Sequence, residues 1–247
     1  MLRKVILAVV VCIFGAVLAG CGGDDAVTSG GRLYDRWWTE AGVAEPAGDH
    51  PLWATRAGND RSGATTWRCK ECHGWDYLGA AGAYGPDNSH YTGFPGILGA
   101  AAGSPEALRA ALASDDHDFS AMGDDALDDL VQFLREGMVD VSGLFGPDGS
   151  VIGGDIAAGE RLFARSCASC HGADGREINF GDEAEPAYVS HVALDNPWEF
   201  AHKVLHGQPG SDPAMPGMFA EGWGADEVRD VVAFGQTLPT DYRPQGE

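Results

Sequence analysis

The 247-residue sequence predicts a mainly α-helical chain of two tandem units with long irregular loops. Three observations carry that reading. Two stretches place apolar residues at helical spacing: Leu127, Leu130, Val131 and Leu134 in one, Val228, Val231, Val232 and Gly235 in the other. Each therefore presents a single face to a core. One five-residue pattern, Cys-x-x-Cys-His, occurs at Cys69–His73 and again at Cys167–His171. Downstream of both occurrences the chain keeps the same order: a capped helix start, a methionine, then the amphipathic stretch, opened by Asp124 and Asp125 in one case and Asp226 in the other. Aspartates suit the positive end of a helix dipole.

The chain opens with Arg3 and Lys4, an apolar run from Val5 to Leu18, and two small residues ahead of Cys21. This is the layout of an export signal. The run is shorter than the about 20 apolar residues that a bilayer span requires. Leu18-Ala19-Gly20-Cys21 resembles the lipobox of bacterial lipoproteins. The resemblance implies a signal peptide over residues 1–20, lipidation of Cys21, and an exported chain held to a membrane by its lipid, on the periplasmic or cell-surface side. Residues 21–30, rich in Gly, Asp, Ser and Thr, read as a flexible tether.

The first unit spans residues 31–146. A helix is expected over Arg32–Ala41, with Trp37 and Trp38 packed inward, followed by a long crossing to the first motif. Tyr77–Gly99 is a glycine- and tyrosine-rich insert expected to wrap one edge of whatever the motif holds. Ser104-Pro105-Glu106 starts a helix, with Ser as cap and Pro in the first helical position. Gly146-Pro147-Asp148-Gly149 is a turn-rich linker, and the second unit covers residues 147–247. There Asn196-Pro197-Trp198-Glu199 repeats the capped start, with Glu placed for a capping box.

Six cysteines divide by context. Cys12 lies in the apolar core of the signal and Cys21 is assigned to lipid, which leaves Cys69, Cys72, Cys167 and Cys170. Cys-x-x-Cys-His is the attachment signature of c-type haem. Two thiols add across the vinyl groups on one porphyrin edge, and the adjoining histidine reaches the iron as proximal ligand. The sequence thus predicts two covalently bound haem c groups, with His73 and His171 as proximal ligands. A lone Cys-x-x-Cys also serves as a redox dithiol, half a zinc site or a disulfide. No βαβ pattern surrounds either motif, and zinc does not require His directly after each pair. For the sixth iron position, Met122 and Met215 stand at matching places ahead of the two closing helices. His117 and His90 are the other candidates in the first unit, Met218 and His206 in the second. His50, His191 and His202 lie outside any motif and read as surface or hydrogen-bonded residues.

Residues 155–240 resemble class I cytochrome c domains. The resemblance rests on Gly159 and Phe163 ahead of the motif, Gly172 and Gly175 after it, Met215-Pro216, and Phe234 in the closing helix. It implies that Gly159 and Phe163 on an opening helix cross the closing helix at Phe234, and that Met215 supplies the sixth ligand. The first half departs from the pattern before Cys69. The whole reads as two tandem cytochrome c-like helical haem domains.

Such a chain is expected to transfer electrons between respiratory redox partners, with no substrate chemistry. Two other readings stand beside it. One is a dihaem oxidoreductase with an open haem, peroxidase-like or sulfur-oxidising; no cysteine remains to act as a distal ligand in the sulfur-oxidising version. The other is a cytochrome subunit of a larger complex. The net charge of −21 repels nucleic-acid phosphates and suits a redox partner with a basic docking patch.

Overall fold

The computed structural model describes residues 25–53 and 59–243. The expected export signal (residues 1–20) and the expected lipidation site Cys21 lie outside the described residues. Helices dominate, and among the described residues β structure is confined to two isolated bridges, Gly79–Pro95 and Phe145–Val151. No helix among them is long and apolar enough to cross a membrane.

The first unit is built on α1 (Ala26–Glu40) and α4 (Asp124–Gln132), with α4 running on into a π-helical turn over Phe133–Gly137. Between them lie the one-turn α2 (Cys69–His73) and α3 (Pro105–Leu112). The second unit contains α5 (Ile156–Ser166), the short α6 (Ala168–His171), α7 (Val189–Asp195), α8 (Pro197–His206) and α9 (Ala225–Gly235). Both predicted N-caps form, but the capping box expected at Glu199 does not: the Asn196 amide donates to the Val192 carbonyl at 3.0 Å, and Glu199 accepts instead from the Asn196 side chain at 3.2 Å. Ser104 accepts from the Ala107 amide at 3.2 Å and Asn196 from the Glu199 amide at 3.2 Å, each satisfying one of the amides a helix start leaves open.

One expectation is corrected at the N-terminus. Residues 26–30, read as tether, are the first turns of α1, capped by Asp25, whose carboxylate accepts from the Thr28 amide at 2.8 Å. Burial decides this. A Cβ on Gly30 would run into the Asp129 carbonyl and the Phe133 side chain of α4, and a Cβ on Gly31 into the His206 ring of α8. Two adjacent glycines, which by composition signal flexibility, are the points where α1 meets one helix from each unit.

The two units share one helix crossing. In the second, Gly159 lets α5 meet the Asp230 carbonyl on α9, and Phe163 packs on Phe234 with ring centroids 5.4 Å apart. In the first, Gly30 meets the Asp129 carbonyl, and Tyr34 packs on Phe133 at 5.5 Å. Trp37 and Trp38 are buried as expected, but they lie beyond this crossing.

α1 also joins the units. Neutral His202 on α8 donates from Nε2 to the Gly31 carbonyl at 2.8 Å and accepts from the Tyr77 hydroxyl at 2.8 Å. Tyr77 holds a left-handed backbone (φ 62°), a conformation costing about 1–3 kcal/mol outside glycine. Asp35 binds both Arg68 of the first unit and Lys203 of the second, the latter at 2.8 Å. The segment before the linker differs from expectation too. Val141 and Phe145, assigned to the first unit, are buried in the apolar core of the second, beside Phe200 and Val228.

Candidate haem sites

Each Cys-x-x-Cys-His forms a single helical turn that ends on a glycine with positive φ, Gly74 (φ 76°, ψ 160°) and Gly172 (φ 76°, ψ 159°). Only glycine adopts that geometry freely, so the chain leaves both motifs in the same way. Neither motif closes as a disulfide. Burial and the neighbouring thiol push Cys69 up to about 12 and Cys167 up to about 11. Among the described residues, no three His, Cys, Asp or Glu side chains converge as a metal-ion site would need.

In the second unit a cavity of about 470 Å³ opens beside the motif, within the ~300–1,000 Å³ usual for cofactor pockets. Cys167 and His171 line it, with apolar walls from Phe163, Phe180, Val189, Phe200 and Val204. Met215 lines it as well. The Met215 loop lies close against the end of α8: a Cβ on Gly207 would strike the Met215 carbonyl, and the Met215 amide donates to Ser211 Oγ at 2.8 Å. The other two candidates lie elsewhere. Met218 is partly buried and packs against the unit's apolar core. His206 is buried between the Phe133 and Phe219 rings at the boundary with the first unit.

Haem fits these residues. Among the described residues the buried His171 Nδ1 has no hydrogen-bond partner, and burial lowers the pKa of its ring, which favours the neutral imidazole that an iron ligand must be. Cys167, a neutral imidazole and a thioether line one largely apolar cavity, with Cys170 one turn away on α6; these are the attachment and iron-binding groups of a c-type haem.

At the first motif, His73 Nδ1 donates to the Pro95 carbonyl at 2.8 Å. That bond selects the tautomer in which Nε2 keeps its lone pair, the usual arrangement behind a ligating histidine. Burial and nearby His117 lower the His73 pKa, against the opposing effect of Pro95. Pro95 comes from the Tyr77–Gly99 insert, which is pinned back by the Gly79–Pro95 bridge and by Asp76, whose carboxylate accepts from the Leu78 amide at 3.1 Å and the Ala83 amide at 2.6 Å. Met122 is buried in an apolar cluster that includes Cys69, Trp67 and Phe119. His90 is engaged elsewhere, bonding Glu71 at 3.1 Å and Arg61 at 2.6 Å and stacking on Tyr84. His50 is satisfied by the His117 carbonyl at 2.9 Å and the Leu52 amide at 3.2 Å. Trp75 and Tyr77, which adjoin the motif in sequence, both turn toward α8, with the Trp75 ring 5.0 Å from that of His202.

Pro95, Gly30 and the basic residues Arg36, Arg68 and Lys203, which also line the cavity, were not legible from motif spacing. For Gly30 a signal exists: Gly30-x-x-x-Tyr34 repeats the spacing of Gly159-x-x-x-Phe163. For Pro95 the only clue is a proline downstream of the motif, and the length of the insert hides it.

Residues 154–234 match the family model described as cytochrome c oxidase, cbb3-type, subunit III. No curated protein and no solved structure matches the chain. The matched segment contains the motif, the cavity and the Gly159–Phe163–Phe234 crossing; this part of the chain is a c-type cytochrome domain, an electron-transfer module that carries covalently bound haem c.

Proposed function

We propose that the chain is an exported dihaem c-type cytochrome, anchored by lipid at Cys21, that relays electrons between respiratory partner proteins. One observation carries this reading: the divergent first unit repeats the helix crossing, the motif turn and the pre-helix methionine of the matched second unit. Bound haem would supply one-electron exchange at iron, and the protein would tune and insulate it. Cys69 and Cys72 would hold one group and Cys167 and Cys170 the other. His73 and His171 would bind iron from one side, with Pro95 setting the His73 tautomer. Met122 and Met215 would close the opposite side, and the soft thioether favours the reduced state and raises the potential. With both positions filled, no open iron site remains for peroxide or sulfur substrates. The acidic surface would meet a basic patch on the partner.

A second reading, a subunit of a larger oxidase-type complex, is favoured by the description of the matched family. Both readings predict two haems, and purification of the native protein as a lone chain or within an assembly separates them.

The test is the intact mass of the mature protein with its absorption spectra. The expected result is a mass increase of two haems, falling to one in Cys72→Ser and in Cys170→Ser, with no carbon monoxide binding by the parent. A single haem in the parent refutes the dihaem reading. Ready carbon monoxide binding refutes two closed sites and moves an enzymatic role forward.

A further inference from the structure

The cavity beside Cys167 and His171 is not built by the second unit alone. Arg36 on α1 and Arg68, directly ahead of the first motif, line it together with Lys203 and Glu199. α1 departs from helical geometry at Arg36 (φ −148°, ψ 80°). Arg68 and Lys203 already have a common partner: Arg68 Nε donates to the Asp35 carbonyl at 2.8 Å, and both side chains pair with the Asp35 carboxylate. Arg36 is half-buried and has no ion-pair partner among the described residues. The chain has only 16 basic residues against 37 acidic, yet three cations line this cavity, with Glu199 the one carboxylate among its lining residues. A ligand suited to these surroundings is a flat apolar body with carboxylates on one edge, and a porphyrin bearing two propionates has that form.

We propose that Arg36, with Arg68 and Lys203, binds the propionate carboxylates of the haem held at Cys167 and Cys170, so that the first unit completes and tunes the haem site of the second. This rests on the reading that Cys167 and Cys170 carry haem. Arg36 is the decisive member, because its guanidinium is the one not already neutralised by Asp35. A guanidinium engages a carboxylate through two parallel N–H bonds. Positive charge near the iron favours the reduced, less positive state. An ion-paired propionate also stays ionised to lower pH than a free one.

The experiment is a redox titration of the haem-loaded full chain from pH 5 to 8, comparing the parent, Arg36→Gln and Arg36→Lys. In Arg36→Gln the midpoint potential of the second haem, identified as the component altered by Met215→Ala, is expected to fall. The fall should grow with rising pH as the unpaired carboxylate ionises. Arg36→Lys keeps the charge and should restore most of the potential, and the first haem should not move. The other charged or titratable groups at the cavity, Arg68, Lys203, Glu199, His171, Cys167 and nearby Asp35, are common to all three proteins and cancel in the comparison. An unchanged potential and pH dependence in Arg36→Gln overturns the proposal. If that variant does not load haem, redox-difference infrared spectra of the parent decide: ionised propionates throughout pH 5–8 support the pairing, and a protonated carboxyl band in that range refutes it. Intact mass separates the two levels of failure. Haem absent from Cys167 and Cys170 removes the underlying reading, whereas haem present with no Arg36 effect removes this inference alone.

Discussion

Gly30→Ala tests the helix crossing in the first unit, because three descriptions of this position predict different results. As part of a flexible tether, Gly30 would tolerate alanine with little effect. As an ordinary helix-interior glycine, it would gain about 1 kcal/mol on becoming alanine. As the contact point of α1 and α4, it cannot hold the methyl group: the added carbon would lie inside the contact distance of the Asp129 carbonyl and of Phe133 Cβ. Neither obstacle is a flexible side-chain end, so the helices must separate. Overpacking of that kind costs about 1–3 kcal/mol. With backbone and Cβ atoms both in the way, the upper end applies, and the helix-propensity gain offsets about 1 kcal/mol of it. The net expectation is a loss of about 2 kcal/mol. At a urea m-value of about 2 kcal/mol per M this moves the midpoint down by about 1 M. Urea unfolding followed by haem absorbance measures it, and Gly159→Ala, which meets the Asp230 carbonyl on α9, should lose a similar amount. An unchanged or raised midpoint for Gly30→Ala would show that α1 does not cross α4 as described.

Met215→Ala should abolish the near-infrared sulfur–iron band of one haem and Met122→Ala that of the other; if neither spectrum changes, the sixth-ligand assignments are wrong. Met122 is also core, so its truncation should in addition cost about 2–5 kcal/mol in a denaturation curve. Burial alone would raise the pKa of Asp35, but Lys203 and Arg68 outweigh it and hold the carboxylate well below its ordinary range. Asp35→Asn leaves both cations without their shared anion and should destabilise the protein by about 3–5 kcal/mol; a loss below about 1 kcal/mol would argue against that node. Burial holds His202 down at about 4 against an ordinary 6.5. Its neutral form is the native one, so its contribution is complete above pH 6.5 and is lost as pH falls from there toward 4. That difference corresponds to about 3 kcal/mol, and His206, lowered by burial and by His202, acts in the same direction. Urea midpoints at pH 7 and pH 5 should therefore differ, with the gap reduced in His202→Gln, and equal midpoints would refute the argument.

The chemistry and most of the helices are written locally along the chain. Cys-x-x-Cys-His is a device in which two thiols and an imidazole must share one turn, so its five residues carry it wherever the chain goes. Caps such as Ser104 and Asn196 and the apolar spacing of Leu127–Leu134 are likewise local, and they were legible for that reason. Features that depend on partners distant along the chain emerge only on folding. Gly30 and Gly31 have the composition of a tether, yet they are helix because α4 and α8 close on them, and packing overrides propensity where a Cβ has no room. Met215 is separated from Met218 and His206 by which side chain reaches the cavity, which their places in the sequence do not reveal. Pro95 meets His73 only because an intervening insert folds back through a single bridge. The charge of the cavity beside Cys167 and His171 was least legible of all. Arg36 and Arg68 belong by sequence to the first unit, and only the docking of α1 against α8 brings them to the second.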